Sequence, residues 1–226
     1  MDDEKLGRLV EAMFQHNQRG RLVGASPLLH VVRTPDGAIC RCHANMPDST
    51  AAHLTALAAS PRGRPGKWAE EYARYLSLAA DVSALTAVRA GPLFCFPESL
   101  TNYPDCITIG RGNSGLLGGA LDEWVEDAEN GALMVAAMVD GRAVSVCATV
   151  KSSETVHCAG VETAPSYRGR GLAERVVMGW AKLVRANGAE PYYATTFDNI
   201  ASQKVAARLG LTLIGSEFSV YGTLAS

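Results

Sequence analysis

Three things are scarce in this chain of 226 residues: excess charge of one sign, long apolar runs and cysteines in a framework. The net charge is only -2, from 21 basic and 23 acidic side chains. A nucleic-acid-binding domain carries a basic excess or a basic face, and the one local cluster, SPRGRPGK (Ser60 to Lys67), reads as a Pro/Gly linker, so no nucleic-acid partner is expected. The longest apolar run, ALMVAAMV (Ala132 to Val139), falls far short of the roughly 20 residues a membrane span needs. The start MDDEKLGRLV has no basic stretch followed by an apolar one, so a cytoplasmic protein with no membrane contact is expected. The six cysteines, Cys40, Cys42, Cys95, Cys106, Cys147 and Cys158, are scattered through a chain large enough to fold without disulfides. CRCH (Cys40 to His43) lacks a second ligand pair at zinc spacing, and alternation along a strand accounts for it, so no metal is expected.

What is present is an ordinary soluble composition, 47% hydrophobic and 19% charged, long enough for one sizeable core or for one core with an appendage. Leu6, Leu9, Val10, Met13 and Phe14 recur at helical spacing within Asp2 to Gln18. LLHVVRTPDGAICRCH (Leu28 to His43) reads as strand, turn, strand. Asp48 to Ala59 and Lys67 to Val88 read as helices. These roughly ninety residues, 1–90, form a mixed α/β extension without a chemical motif: a lid, a dimer surface or a degenerate copy of the second half. From Gly91 the pattern changes. GPLFCFPES is a short strand or loop, and NSGLLGGALDEWVEDAENG is a weak helix with an Asn/Ser cap. Two apolar runs joined by Asp140-Gly141 form a hairpin, and TVHCAGV (Thr155 to Val161) is a third strand. A helix with Leu172, Val176, Trp180 and Leu183 on one stripe stops at Asn187-Gly188. PYYATTF is a strand, DNIASQKVAARLG a capped helix, and LTLIGSEFSVY a closing strand pair.

The stretch ETAPSYRGRGLAERVVMGW (Glu162 to Trp180) sets two arginines and two glycines where a strand hands over to a helix. Such a junction exposes backbone N–H groups at the positive end of a helix dipole. Glycines at 169 and 171 let an anion approach those groups, and Arg168 and Arg170 add charge. A P-loop would need Lys and Ser/Thr after its second glycine, and a dinucleotide fingerprint would need a third small residue where Glu174 stands. The pattern R/Q-x-x-G-x-G/A fits at Arg168, Gly171 and Ala173.

At these residues, and at VETAPSYRG (Val161 to Gly169) and NIASQKVAARLGL (Asn199 to Leu211), the sequence resembles the GNAT superfamily of N-acetyltransferases. The resemblance covers about Gly91 to Tyr221 and implies a GNAT domain over 91–226. It implies a mixed α/β fold, with a central, mostly antiparallel sheet whose strands splay, flanked by helices. It further implies that Arg168, Gly169, Arg170, Gly171, Leu172 and Ala173 cradle the pyrophosphate of acetyl-CoA, the co-substrate. Val161, Glu162 and Thr163 would pair with the pantetheine arm, with an N–H near Val161 as oxyanion donor. Asn199 and Ser202, three apart on one helix face, would point at the coenzyme, although Asn199 also suits a helix cap.

Acetyl transfer to an amine needs a base, because an alkylamine is mostly protonated at neutral pH. His157 and Glu162 are the candidates, on opposite faces of their strand by parity. The tyrosine that often protonates the leaving thiolate in this family is replaced here by Ala206. Either Tyr192, Tyr193 or Tyr221 substitutes, with Tyr221 taken as the candidate acid, or no general acid is used. Cys158 reads as a core cysteine rather than a nucleophile. Phe94, Phe96 and Trp124 fall in segments that wall the acceptor side in similar proteins. The expected activity is transfer of acetyl from acetyl-CoA to the primary amine of a small molecule or amino acid derivative. Protein N-acetylation and a catalytically poor acyl-CoA-binding module are the alternatives, and a homodimer is left open.

Overall fold

A computed structural model describes residues 3–59, 68–101, 103 and 105–224. The expected Pro/Gly linker, Ser60 to Lys67, lies outside the described residues. In chain order the elements are α1 (Asp3–Met13), β1 (Leu29–Arg33), β2 (Ala38–Cys42), α2 (Asp48–Ala59), α3 (Trp68–Ala80), β3 (Ser83–Cys95) and β4 (Cys106–Ile109). There follow two 3-10 turns (Ser114–Leu116 and Gly119–Trp124) and α4 (Val125–Glu129). Next come β5 (Met134–Val139), β6 (Arg142–Ser152), β7 (Val156–Thr163), a 3-10 turn (Pro165–Tyr167), α5 (Leu172–Ala186), β8 (Glu190–Ala194), α6 (Ile200–Arg208) and β9 (Thr212–Leu224). The architecture is the expected mixed α/β one, with mostly antiparallel strands flanked by helices. Among the described residues no helix is long and apolar enough to cross a membrane.

The chain forms two compact units, one of residues 1–93, 195–198 and 213–226, the other of residues 94–194 and 199–212. In the first, strands run β2-β1-β9-β3. Alternation puts Val31, Cys40, Cys42, Phe218 and Val220 into one core with Leu54 of α2 and Tyr72 and Tyr75 of α3. Tyr72 stacks on Phe218 at 4.2 Å between centroids, and the Cys40 and Cys42 Sγ atoms lie 3.9 Å apart on the same face.

Three expectations need correction. The helix read over Lys67 to Val88 ends at Ala80, and the chain continues as a strand from Ser83. The apolar spacing of SALTAV suits either period, and strand pairing decided it. The closing strand pair is instead one strand, β9. Gly215, within this strand, is a close-approach glycine: a Cβ there would lie 2.0 Å from the Arg33 carbonyl oxygen. We therefore expect Gly215→Ala to cost about 3 kcal/mol, since backbone rather than a mobile side chain must yield; urea titration would measure it. The weak helix before Gly131 is two 3-10 turns and the five-residue α4, as its glycines, Gly119 at φ +61° among them, disfavour longer helix. Its expected cap makes no cap bond: Asn113 instead accepts from Gly110 N at 2.8 Å.

The second unit is the ladder β8-β7-β6-β5-β4, antiparallel except for the parallel β7–β8 pair. Asp140 (φ 49°) and Gly141 (φ 77°) close the β5–β6 hairpin, the left-handed pair that a tight turn demands. Helix α5 packs on one face against β5, β6 and β7, burying Val176, Val177, Trp180 and Val184. Leu121, Trp124, Val125 and Ala128, from the second 3-10 turn and α4, cover the other face over Met134, Ala136, Val146 and Ala148.

Candidate active site

The decisive feature of the second unit is where β7 and β8 part. Their parallel register runs Val156↔Glu190, His157↔Pro191, Cys158↔Tyr192, although β7 continues to Thr163 and β8 to Ala194. On its other side β7 stays paired with β6 to Thr163. Ala164 N donates to Val144 O at 2.9 Å, and the Ser145 hydroxyl donates to Glu162 O at 3.1 Å. Residues of even number therefore turn their backbone groups toward β6. By alternation the N–H groups of Val161 and Thr163 point the opposite way, along the edge from which β8 has parted. Those N–H groups are donors of the kind that pair with an extended, amide-bearing chain.

At the end of this edge the chain enters α5. Gly169 and Gly171 stand at φ 76° and 74°, and a Cβ on either would meet nothing within 4 Å. The left-handed backbone explains the glycines, and the empty space in front of them leaves the approach to the helix N-terminus open. Gly171 is the N-cap of α5, and no side chain satisfies the first-turn N–H groups there. Arg168 Nε donates to Thr163 O at 3.0 Å, which fixes the turn to the strand edge. Arg170 donates to Ser166 O at 3.2 Å and lies 4.9 Å from the centre of the Tyr167 ring. Leu172 and Ala173 open the helix. Glu174, in its first turn, would repel an anion, but Arg208 of α6 pairs with it at 2.9 Å and offsets that charge. Backbone donors, a helix dipole and two exposed arginines together suit a pyrophosphate.

Asn199 is the N-cap of α6, its Oδ1 accepting from Ser202 N at 3.0 Å. The Ser202 hydroxyl shares a 2.7 Å hydrogen bond with Tyr193 OH, whose phenol burial pushes up to about 12. Ala206 is fully buried. Phe96 belongs to the α5-side core, 6.1 Å from Trp180, and Phe94 lies 6.4 Å from Tyr193; Trp124 alone of the three aromatics lies on the opposite face. Tyr221 stands in β9 of the first unit, half-buried, with Arg89 5.6 Å from its ring centre; burial raises its phenol.

The two candidate bases occupy different surroundings. His157 lies at the root of β7, where that strand is still paired with β8, four residues or roughly 13 Å from Val161. Its Nδ1 lies 2.9 Å from Thr149 Oγ1, which also accepts the Trp180 indole N–H at 3.2 Å. One threonine hydroxyl thus holds both the Trp180 indole and His157, and keeps Nδ1 of His157 engaged. Burial lowers its pKa from 6.5. The unfolded chain therefore binds the proton first as pH falls, and the stability contributed by neutral His157 is present above 6.5 and lost on acidification. His157→Gln should flatten the decline in stability below pH 6.5, as denaturant midpoints at pH 5 and 7.5 would show. Cys158 beside it is buried, as a core cysteine should be.

Glu162 is adjacent to Val161 and faces the other side. Its Oε2 accepts the indole N–H of Trp124 at 2.9 Å. The Glu123 carboxyl is beside it, and the hydrogen bond and the charge of Glu162 raise the pKa of Glu123. Sequence parity separated the two bases, but the indole donor and the neighbouring carboxylate, both from the turn before α4, left no signal in the sequence.

A family model of GNAT acetyltransferases matches residues 124–221. Among solved structures, a protein of Novosphingobium aromaticivorans assigned to the GNAT family is 16% identical with a TM-score of 0.55, the match covering 97% of this chain and 95% of that one. A GCN5-related N-acetyltransferase of Kribbella flavida is 16% identical at a TM-score of 0.50, over 98% of this chain and 93% of its own. At such identity the likeness shows the fold. No curated protein matches the sequence.

Proposed function

We propose that this chain, which the GNAT acetyltransferase model matches over residues 124–221, is an acetyltransferase of that family that moves the acetyl group of acetyl-CoA to the primary amine of a small molecule or amino acid derivative. The observation that carries this reading is the strand edge of Val161 and Thr163 running into the glycine-lined N-terminus of α5. One accepts an extended amide chain, the other a pyrophosphate, and coenzyme A has both in that order.

In this reading Glu162 is the base. It stands next to the Val161 N–H, on the side of the sheet away from α5, whereas His157 is remote and its Nδ1 is engaged by Thr149. The amine arrives as an ammonium ion, with a pKa of about 10, and the carboxyls of Glu162 and Glu123 attract it. Glu162 takes its proton, directly or through water. The neutral nitrogen then attacks the thioester carbonyl carbon, and the Val161 N–H donates to the oxyanion that forms. When the C–S bond breaks, the nitrogen, cationic since its attack, gives up its second proton to the departing sulfur or to water, and coenzyme A leaves as thiol or thiolate. With a pKa near 8.5, a thiolate needs little help from an acid. Asn199 and Ser202 act on the coenzyme through the start of α6.

Calorimetric titration with acetyl-CoA, followed by thiol release across a panel of amines, tests the proposal. Binding with amine-dependent release is the expected result. Binding without release from any amine or peptide would favour the acyl-CoA-binding module, a reading to which Ala206 lends weight. No binding would overturn both.

A further inference from the structure

On the face of β7 turned away from α5, the residues at 160 and 162 are neighbours, about 7 Å apart along the strand. Gly160 has no side chain, and a Cβ built there would lie 2.9 Å from Cη2 of Trp124 and 2.3 Å from Cγ1 of Val150. The six-membered ring of Trp124 thus lies in the place that any other residue at 160 would fill. From that seat the indole extends along the strand and delivers its N–H to Glu162 Oε2 at 2.9 Å. An indole is about as long as the spacing between alternate strand residues, so seating the ring over Gly160 aims the donor at residue 162. The backbone of Glu162 is fixed as well, its carbonyl accepting from Ser145 Oγ.

We propose that Trp124 is the positioning residue of Glu162, with Gly160 as the seat that sets the indole's reach. An indole N–H only donates, so it occupies one oxygen of the carboxylate and locks the side chain in one rotamer. The rest of the carboxylate, on which the neighbouring Glu123 carboxyl also bears, takes the proton of the acceptor amine. Trp124 does not touch the reacting atoms in this account, and the account rests on Glu162 being the base.

The test is a double-mutant cycle in the full chain. Trp124→Phe keeps a ring over Gly160 and removes the donor; kcat should fall by about tenfold, the size of one hydrogen bond to a charged group, with KM for acetyl-CoA unchanged. In the Glu162→Gln background the same substitution should have little further effect, because the group it positions is gone. A full tenfold loss in that background, or no loss in the native one, would overturn the proposal while leaving Glu162 as the base. If Glu162→Gln itself left kcat unchanged, the base assignment would fail, and positioning with it.

A second measurement needs no turnover. In a 1H–15N spectrum the indole signal that disappears in Trp124→Phe should move upfield in Glu162→Gln, and Gly160→Ala should move it too. An indole signal indifferent to both substitutions would also overturn the proposal.

Discussion

Replacing Gly171 by valine should weaken acetyl-CoA binding by at least about a hundredfold, with the protein still folded. Gly171 caps α5 at φ 74°, a conformation a β-branched residue resists at a cost of about 1–2 kcal/mol. A Cβ there meets no protein atom within 4 Å, so the side chain would project into the approach to the first-turn N–H groups rather than into the core. Losing two hydrogen bonds from those donors to a charged phosphate is worth roughly 3–6 kcal/mol, or about two to four decades in affinity. Calorimetric titration gives the affinity, and far-ultraviolet circular dichroism at the same temperature reports whether α5 persists. A folded variant with native affinity would show that the pyrophosphate binds elsewhere. Gly169→Val, at φ 76° with equally open surroundings, should behave alike.

Glu162→Gln should lower kcat by about 100-fold to 10,000-fold, the range over which a general base contributes. Glutamine is close to glutamate in shape and still accepts the Trp124 N–H, so the fold and the coenzyme edge should be unaffected and acetyl-CoA affinity should change less than about threefold. The loss should be greatest for strongly basic amines, which arrive almost wholly protonated, and smaller for weakly basic ones such as anilines. His157→Gln, by contrast, removes a group four residues away whose Nδ1 is already engaged by Thr149, and kcat should stay within about threefold of native. Initial rates by thiol release over a series of amines of graded pKa would check both. A large loss in His157→Gln with native rates in Glu162→Gln would reverse the assignment.

The structure departs from the sequence reading where competing signals were local and nearly equal. Asp81 to Val88 satisfied a helical period as well as a strand one, and only the neighbouring strand in the ladder settled it. LTLIGSEFSVY read as two strands although it is one, and the close approach of its Gly215 to the Arg33 carbonyl, remote in sequence, left no local signal. The glycine-bearing stretch before Gly131 was legible as weak helix, and its breakdown into 3-10 turns follows from the same glycines.

By itself the sequence determined what short-range chemistry can fix. The Asp-Gly hairpin, the stripe of Leu172, Val176 and Trp180, the Asn187-Gly188 stop and the arginine-glycine turn each depend on dihedral preferences and periodicities spanning a few residues. The mixture of strands and helices and the arginine-glycine turn at the start of α5 could therefore be read before any contact was known. Only the tertiary structure decided which groups meet. It parted β8 from β7 after Cys158, committed Thr149 to His157, and laid Trp124 across Gly160 to hold Glu162. Those contacts join residues 8 and 38 positions apart, and their geometry is set by how the sheet, α5 and the turns before α4 pack together, which no local pattern encodes.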